Sequence, residues 1–202
     1  MTNGLLFYWI SWLLWVYVTF VMRKDRVRTI LGLWILLIIG GSSINLTILG
    51  YTLTLSYLFL IVGAMIMLAK TSHLFFRLFS SFTIMILYMT MMVWQNYVPI
   101  YMIFSKTYIF PFVIAFITVL IARGFYNRVS ITLLGISAGE LMYSFILSSY
   151  SIKVPTGGFS FFDSVMIILF LFIGVEVANL LRVKVYALFG IYKKSIQVLA
   201  EE

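Results

Sequence analysis

Long apolar runs separated by short gaps, with basic residues gathered in every second gap, confine this chain to a membrane and set its direction through it. Arg23, Lys24, Arg26 and Arg28 follow the first run. Lys70 and Arg77 lie in the third gap, Arg123 and Arg128 in the fifth, and Arg182, Lys184, Lys193 and Lys194 in the tail. Against these twelve, the second gap holds none, and the fourth and sixth hold only Lys106 and Lys153. Lys and Arg resist translocation, so short loops that carry them stay on the cytoplasmic side. The expected fold is therefore an all-α transmembrane bundle of seven spans, N-terminus outside and C-terminus cytoplasmic. A six-span arrangement puts basic clusters on both sides.

The spans are expected near 4–22, 29–48, 51–69, 78–97, 107–122, 129–149 and 161–181, forming one transmembrane domain followed by a basic tail over 182–202. Each approaches the ~20 residues that cross a ~30 Å hydrocarbon core. The stretch from Thr29 to Ala69 holds no charge and is too long for one span, so it is divided between Gly40 and Thr54 by a tight hairpin. Gly40-Gly41-Ser42-Ser43 and Asn45 to Gly50 supply turn chemistry there. The first run lacks a basic leader segment and a small-residue cleavage site, so it is expected to remain in the protein. The tail alternates apolar and basic residues, as in a helix lying on the inner leaflet or a short solvated end.

Composition narrows the function classes. The chain is 63% hydrophobic and 10% charged, where soluble domains carry about 25% charged residues. Its net charge of +8 is dispersed at span ends, as topology signals and anchors for anionic lipid at the cytoplasmic face. No basic patch of nucleic-acid type exists. Zero cysteines remove thiolate metal sites, disulfides and cysteine nucleophiles. His73 is the sole histidine and lies in a basic gap, so no metal site and no Ser–His dyad is expected, and no cofactor motif is present. The chain is read as non-enzymatic.

Chemistry inside the membrane rests on three carboxylates. Asp163 opens the seventh span and is expected at its interfacial end, favoured by the helix dipole. Glu140 falls near the middle of the sixth. At ~100° per residue, Ser130, Ser137, Ser144 and Ser148 lie within about 40–80° of it, a polar stripe. Gly135 and Gly139 lie on another side, spaced for close helix packing. Glu176 shares a face of the seventh span with Asn179, while Gly174 and Ala178 form a second small pair on the opposite side, so this helix too is expected to be buried on two sides. Intramembrane acids mark a pathway or relay by default. The competing reading is a neutral Glu140 held by neighbours such as Ser144 and Tyr143.

The opening Gly4-Leu5-Leu6-Phe7-Tyr8-Trp9, the aromatic-rich first span, the Arg/Lys cluster after it and the overall length resemble the YphA-like family, small uncharacterised multi-pass membrane proteins of Bacillus-type bacteria. The resemblance implies a bacterial plasma-membrane protein and carries no functional residues with it. Two roles remain open. The first is a non-enzymatic protein acting through helix packing or a membrane partner. The other is a small transporter or channel using Glu140, with Glu176, for a proton or cation. A cavity reaching Glu140 favours the second.

Overall fold

The computed structural model describes residues 4–48, 51–71, 73–97, 106–150, 152 and 155–200. Lys153 and nearly all of the connector expected over 99–106 lie outside the described residues, as do the tail side chains beyond Lys184. Seven helices and one small hairpin make up the described chain. They are α1 (Leu5–Val16), α2 (Arg26–Gly41), β1 (Asn45–Ile48), β2 (Tyr51–Thr54), α3 (Leu55–Ala69), α4 (Leu74–Tyr97), α5 (Lys106–Ile121), α6 (Phe125–Ser149) and α7 (Phe159–Ala200). A π-helical turn over Tyr17–Val21 continues α1 without a break.

The segment from residue 42 to 54 departs from the expected fold. Where two full spans were to meet at a tight turn, α2 stops at Gly41 and α3 starts only at Leu55, with an antiparallel hairpin between them. Asn45 pairs with Thr54, Leu46 with Leu53, Thr47 with Thr52 and Ile48 with Tyr51. The residues explain it: Leu, Ile and Tyr alternate with Thr, and β-branched and aromatic side chains suit a pleated surface better than a helix. The loop before α7 pairs with β2 as well. Thr156 donates its N–H to the Thr52 carbonyl (2.9 Å) and accepts from the Thr54 N–H (3.2 Å). The outer edge of β2 is thus paired with the loop before α7.

α6 is the axis of the bundle. Of its span-length window 56% is buried, against 22% for those of α4 and α7. It packs chiefly on α4 and α3. The glycines make the α4 contact possible. A Cβ on Gly135 would stand 2.7 Å from the Ser81 carbonyl oxygen, and one on Gly139 would stand 2.8 Å from the Tyr88 ring and 3.0 Å from the Met85 carbonyl oxygen. α4, α6 and the part of α7 up to Lys184 are long and apolar enough to cross a membrane, and Leu5–Val21, Leu55–Ala69 and Tyr108–Ile121 are shorter apolar helices.

Arg128 and the end of α7 depart from what was expected, and Asp163 has partners the sequence did not name. Arg128, read as an exposed topology anchor, is buried, and its Nε donates to the Ala122 carbonyl at 2.9 Å. It closes the C-terminus of α5, where a cation meets the negative end of the dipole. Asp163, in the first turns of α7, is buried. Its two oxygens accept the N–H groups of Gly4 and Phe7, each at 2.8 Å. It therefore caps α1, the partner helix, and ties the two together. α7 runs on as one helix to Ala200 instead of ending near 181. Arg23, Lys24, Arg26, Arg123, Arg182 and Lys184 are exposed, while Arg28 is half-buried and donates to the Thr19 carbonyl at 3.4 Å.

Candidate functional site: a carboxyl-floored cavity

Glu140 lies in the sixteenth position of α6's 25 residues, about 13 Å along the axis from Ser149 at 1.5 Å per residue. It thus lies about 4–5 Å from the middle of α6, on the side towards the hairpin. Gly139, one residue earlier, seats the Tyr88 ring against α6. That close approach brings the Tyr88 hydroxyl to Glu140 Oε2, to which it donates at 2.6 Å. From above, the Gly157 N–H points at Oε1 at 3.4 Å. Tyr57, on α3, donates to the Ser137 carbonyl at 2.6 Å, one turn below. The Glu140 donors therefore come from α4 and the loop before α7.

Gly157 reaches Glu140 because its backbone is left-handed (φ 74°) and because it has no side chain. A Cβ there would meet the Tyr57 Cβ at 2.5 Å and the Thr54 Oγ1 at 2.8 Å. Thr54 Oγ1 donates to the Gly157 carbonyl at 2.8 Å, and Thr156 Oγ1 donates to Ser144 Oγ at 2.8 Å. The hairpin and the loop thus form a cover fastened to α3 and α6 at several points.

Beside this carboxyl lies a cavity of about 690 Å³. Ser42, Ser43, Asn45 and Thr54 line it from the end of α2 and the hairpin. Tyr88, Met92 and Gln95 contribute from α4, Phe110 from α5, and Glu140 with Tyr143 from α6. Pro155 and residues 158–161, with Ser164, complete it from the loop and the start of α7. Glu140 is 8% exposed and is the one ionisable acid among the described lining residues. Volumes of about 300–1,000 Å³ hold small organic ligands.

The other sequence candidates separate from this site. Ser144 stands beside it, bound to the cover by Thr156. The Ser137 hydroxyl turns back to the Leu133 carbonyl (2.7 Å) and that of Ser130 to the Asn127 carbonyl (3.1 Å). Such bonds within a helix satisfy serine hydroxyls locally, and Ser130, Ser137 and Ser144 are all buried. Glu176 and Asn179 are not cavity residues. Glu176 is half-buried and Asn179 exposed, about 18 Å or more along α7 from Ser164. Gly174 and Ala178 are exposed, and a Cβ on Gly174 would meet nothing within 4 Å. Within one chain the Gly174–Ala178 pair packs against no helix, and α7 is not buried on two sides there. His73 is exposed in the α3–α4 turn with a left-handed backbone (φ 58°). Among the described residues no group of three His, Cys, Asp or Glu is placed to hold a metal.

Sequence reasoning missed Tyr88, Thr156 and Gly157. Tyr88 is one aromatic among many, and its partner is 52 residues away. Gly157 did leave a signal, in the Pro155-Thr156-Gly157-Gly158 turn, but that signal marks a bend and not its ligand.

Apolar helices of membrane-crossing length, packed around a helix that carries a buried carboxyl, define an integral membrane protein. The chain belongs to the YphA-like integral membrane protein family, whose model matches residues 3–197. It is 27% identical to the uncharacterized protein YphA of Bacillus subtilis (strain 168) over 168 residues, covering 81% of this chain and 84% of that protein. No solved structure matches it.

Proposed function

We propose that the protein is a non-enzymatic, seven-span plasma-membrane protein that binds a small solute in a cavity open towards the outside and floored by Glu140. The cavity beside Glu140 carries this reading. A scaffold acting through packing alone gains nothing from about 690 Å³ of unfilled space next to a carboxyl, since close packing is what holds helices together in lipid. The direction rests on the basic residues. The hairpin and the α6–α7 loop lie at the end opposite Arg23, Lys24, Arg123 and Arg182, and the basic end is cytoplasmic by the positive-inside rule. There it also meets anionic lipid. α2 and α3, at 16 and 15 residues, fall short of a full span, and the paired hairpin between them adds to the depth.

The absence of native cysteine allows a direct test. Single variants Ser43→Cys, Ser164→Cys and Arg123→Cys are treated in intact cells with a membrane-impermeant thiol reagent. Ser43→Cys and Ser164→Cys should react from outside, and Arg123→Cys only after permeabilisation. Labelling of Arg123→Cys in intact cells overturns the topology. A Ser164→Cys that reacts only after denaturation overturns the cavity.

A further inference from the structure

We propose that the solute is an organic cation, a small alkylammonium group received by the Glu140 carboxylate within an aromatic enclosure. The inference rests on the solute-binding reading above and adds the ligand's chemical class. Five rings border the cavity with Glu140: Tyr88, Phe110, Tyr143, Phe159 and Phe161. No Lys, Arg or His does so among the described residues. An ionised carboxylate in such a place has no protein counter-charge, and an unpaired charge in a low-dielectric setting is costly. A bound cation removes that cost, and aromatic faces attract a cation whose charge is spread over alkyl groups.

The hydrogen bonding leaves room for it. A carboxylate offers about four lone-pair sites, and Tyr88 and Gly157 occupy two. Size decides against an inorganic ion. The cavity of about 690 Å³ exceeds the ~30 Å³ of one water more than twentyfold, and Glu140 is the one carboxylate among its described lining residues. The hydroxyl and amide groups of Ser42, Asn45 and Gln95 line the same space and suit a polar substituent on the ammonium group.

The test compares choline with its uncharged isostere 3,3-dimethylbutan-1-ol, using the full chain in phosphatidylglycerol nanodiscs and titration calorimetry. Choline should bind about tenfold or more tightly than the isostere, and should protect Ser164→Cys from the thiol reagent. Glu140→Gln should weaken choline about tenfold. If that variant fails to fold, Phe110→Leu carries the test, with choline weakened about threefold and the isostere little changed. Equal binding of choline and isostere, or full choline binding by folded Glu140→Gln, overturns the inference. So does no binding of either while Ser164→Cys still reacts, and all three outcomes leave the cavity itself standing. An unreactive Ser164→Cys overturns the cavity reading instead. Adding phosphatidylethanolamine to the nanodiscs separates the two sources of the amine. Competition with choline identifies a lipid headgroup, and no competition identifies a soluble amine.

Discussion

Tyr88 and Gly157 hold Glu140 with different kinds of necessity. The Tyr88 hydroxyl is replaceable in shape by hydrogen, so Tyr88→Phe keeps the ring against Gly139 and removes one donor from a buried carboxyl. Leaving a buried polar atom short of a partner costs about 1–3 kcal/mol. The variant should show that loss as a lower midpoint of thermal unfolding in detergent, followed by tryptophan fluorescence. Gly157 is constrained by space and by conformation together: its φ is 74°, and a Cβ would stand 2.5 Å from that of Tyr57. Gly157→Ala should destabilise by about 2 kcal/mol or more, and the cover should detach from α3. Gly174 supplies the contrast, because nothing lies within 4 Å of its Cβ position. Gly174→Ala should cost nothing and add up to about 1 kcal/mol from helix propensity. Equal losses at the two glycines in the same unfolding assay would show that packing around Gly157 is not what fixes the cover.

Elements are held together here by a few long-range polar contacts laid over apolar packing, and α1 shows this well. Its N-terminus lacks a capping side chain of its own, and Asp163 of α7 supplies one across 156 to 159 residues of sequence. Caps are worth about 1 kcal/mol, with more where a carboxylate meets the positive end of the dipole. Asp163→Ala should speed hydrogen–deuterium exchange at the Gly4 and Phe7 amides by about fivefold or more, since 1 kcal/mol is a factor of about five; unchanged exchange would remove the cap from the account. Asp163 shows the limit of reading a chain alone. Its place near a helix start was legible from spacing, while its true partner lies on another helix that no local pattern names. The Gly135–Gly139 spacing announced a face for close packing because the requirement is local to one helix. The hairpin went unread for a different reason. Asn45-Leu46-Thr47-Ile48 and Tyr51-Thr52-Leu53-Thr54 alternate with period two, but they are uncharged and largely apolar, so a count of apolar length absorbs them into spans. Glu140 could be found because an acid in an apolar run stands out; the cavity beside it could not, since its walls come from residues 42 to 164.

At the scale of the whole molecule, α7 is out of proportion to the bundle. Its 42 residues reach about 63 Å at 1.5 Å per residue, roughly twice the ~30 Å hydrocarbon core. Among its described side chains the last buried one is Phe172, and every one from Val177 to Lys184 is exposed. With no buried side chain between Val177 and Lys184, the segment after Lys184 is expected to add little to the stability of the fold. In the proposed topology Arg182 and Lys184 lie where the helix leaves the lipid on the cytoplasmic side, because strongly hydrated charges stay at the interface. A chain shortened after Lys184 should therefore insert, fold and unfold with a midpoint within about 2 °C of the full chain, a shift corresponding to about 1 kcal/mol or less for a protein of this size. The shortened chain should also keep the reactivity of Ser164→Cys, since the cavity sits at the opposite end of the helix. In inverted vesicles, a protease added from the cytoplasmic side should cut the full chain within 185–200 and spare the rest. A large fall in the midpoint on shortening would mean that the projecting helix folds back on the bundle, or that a second copy packs against it, and α7 would then hold the assembly together.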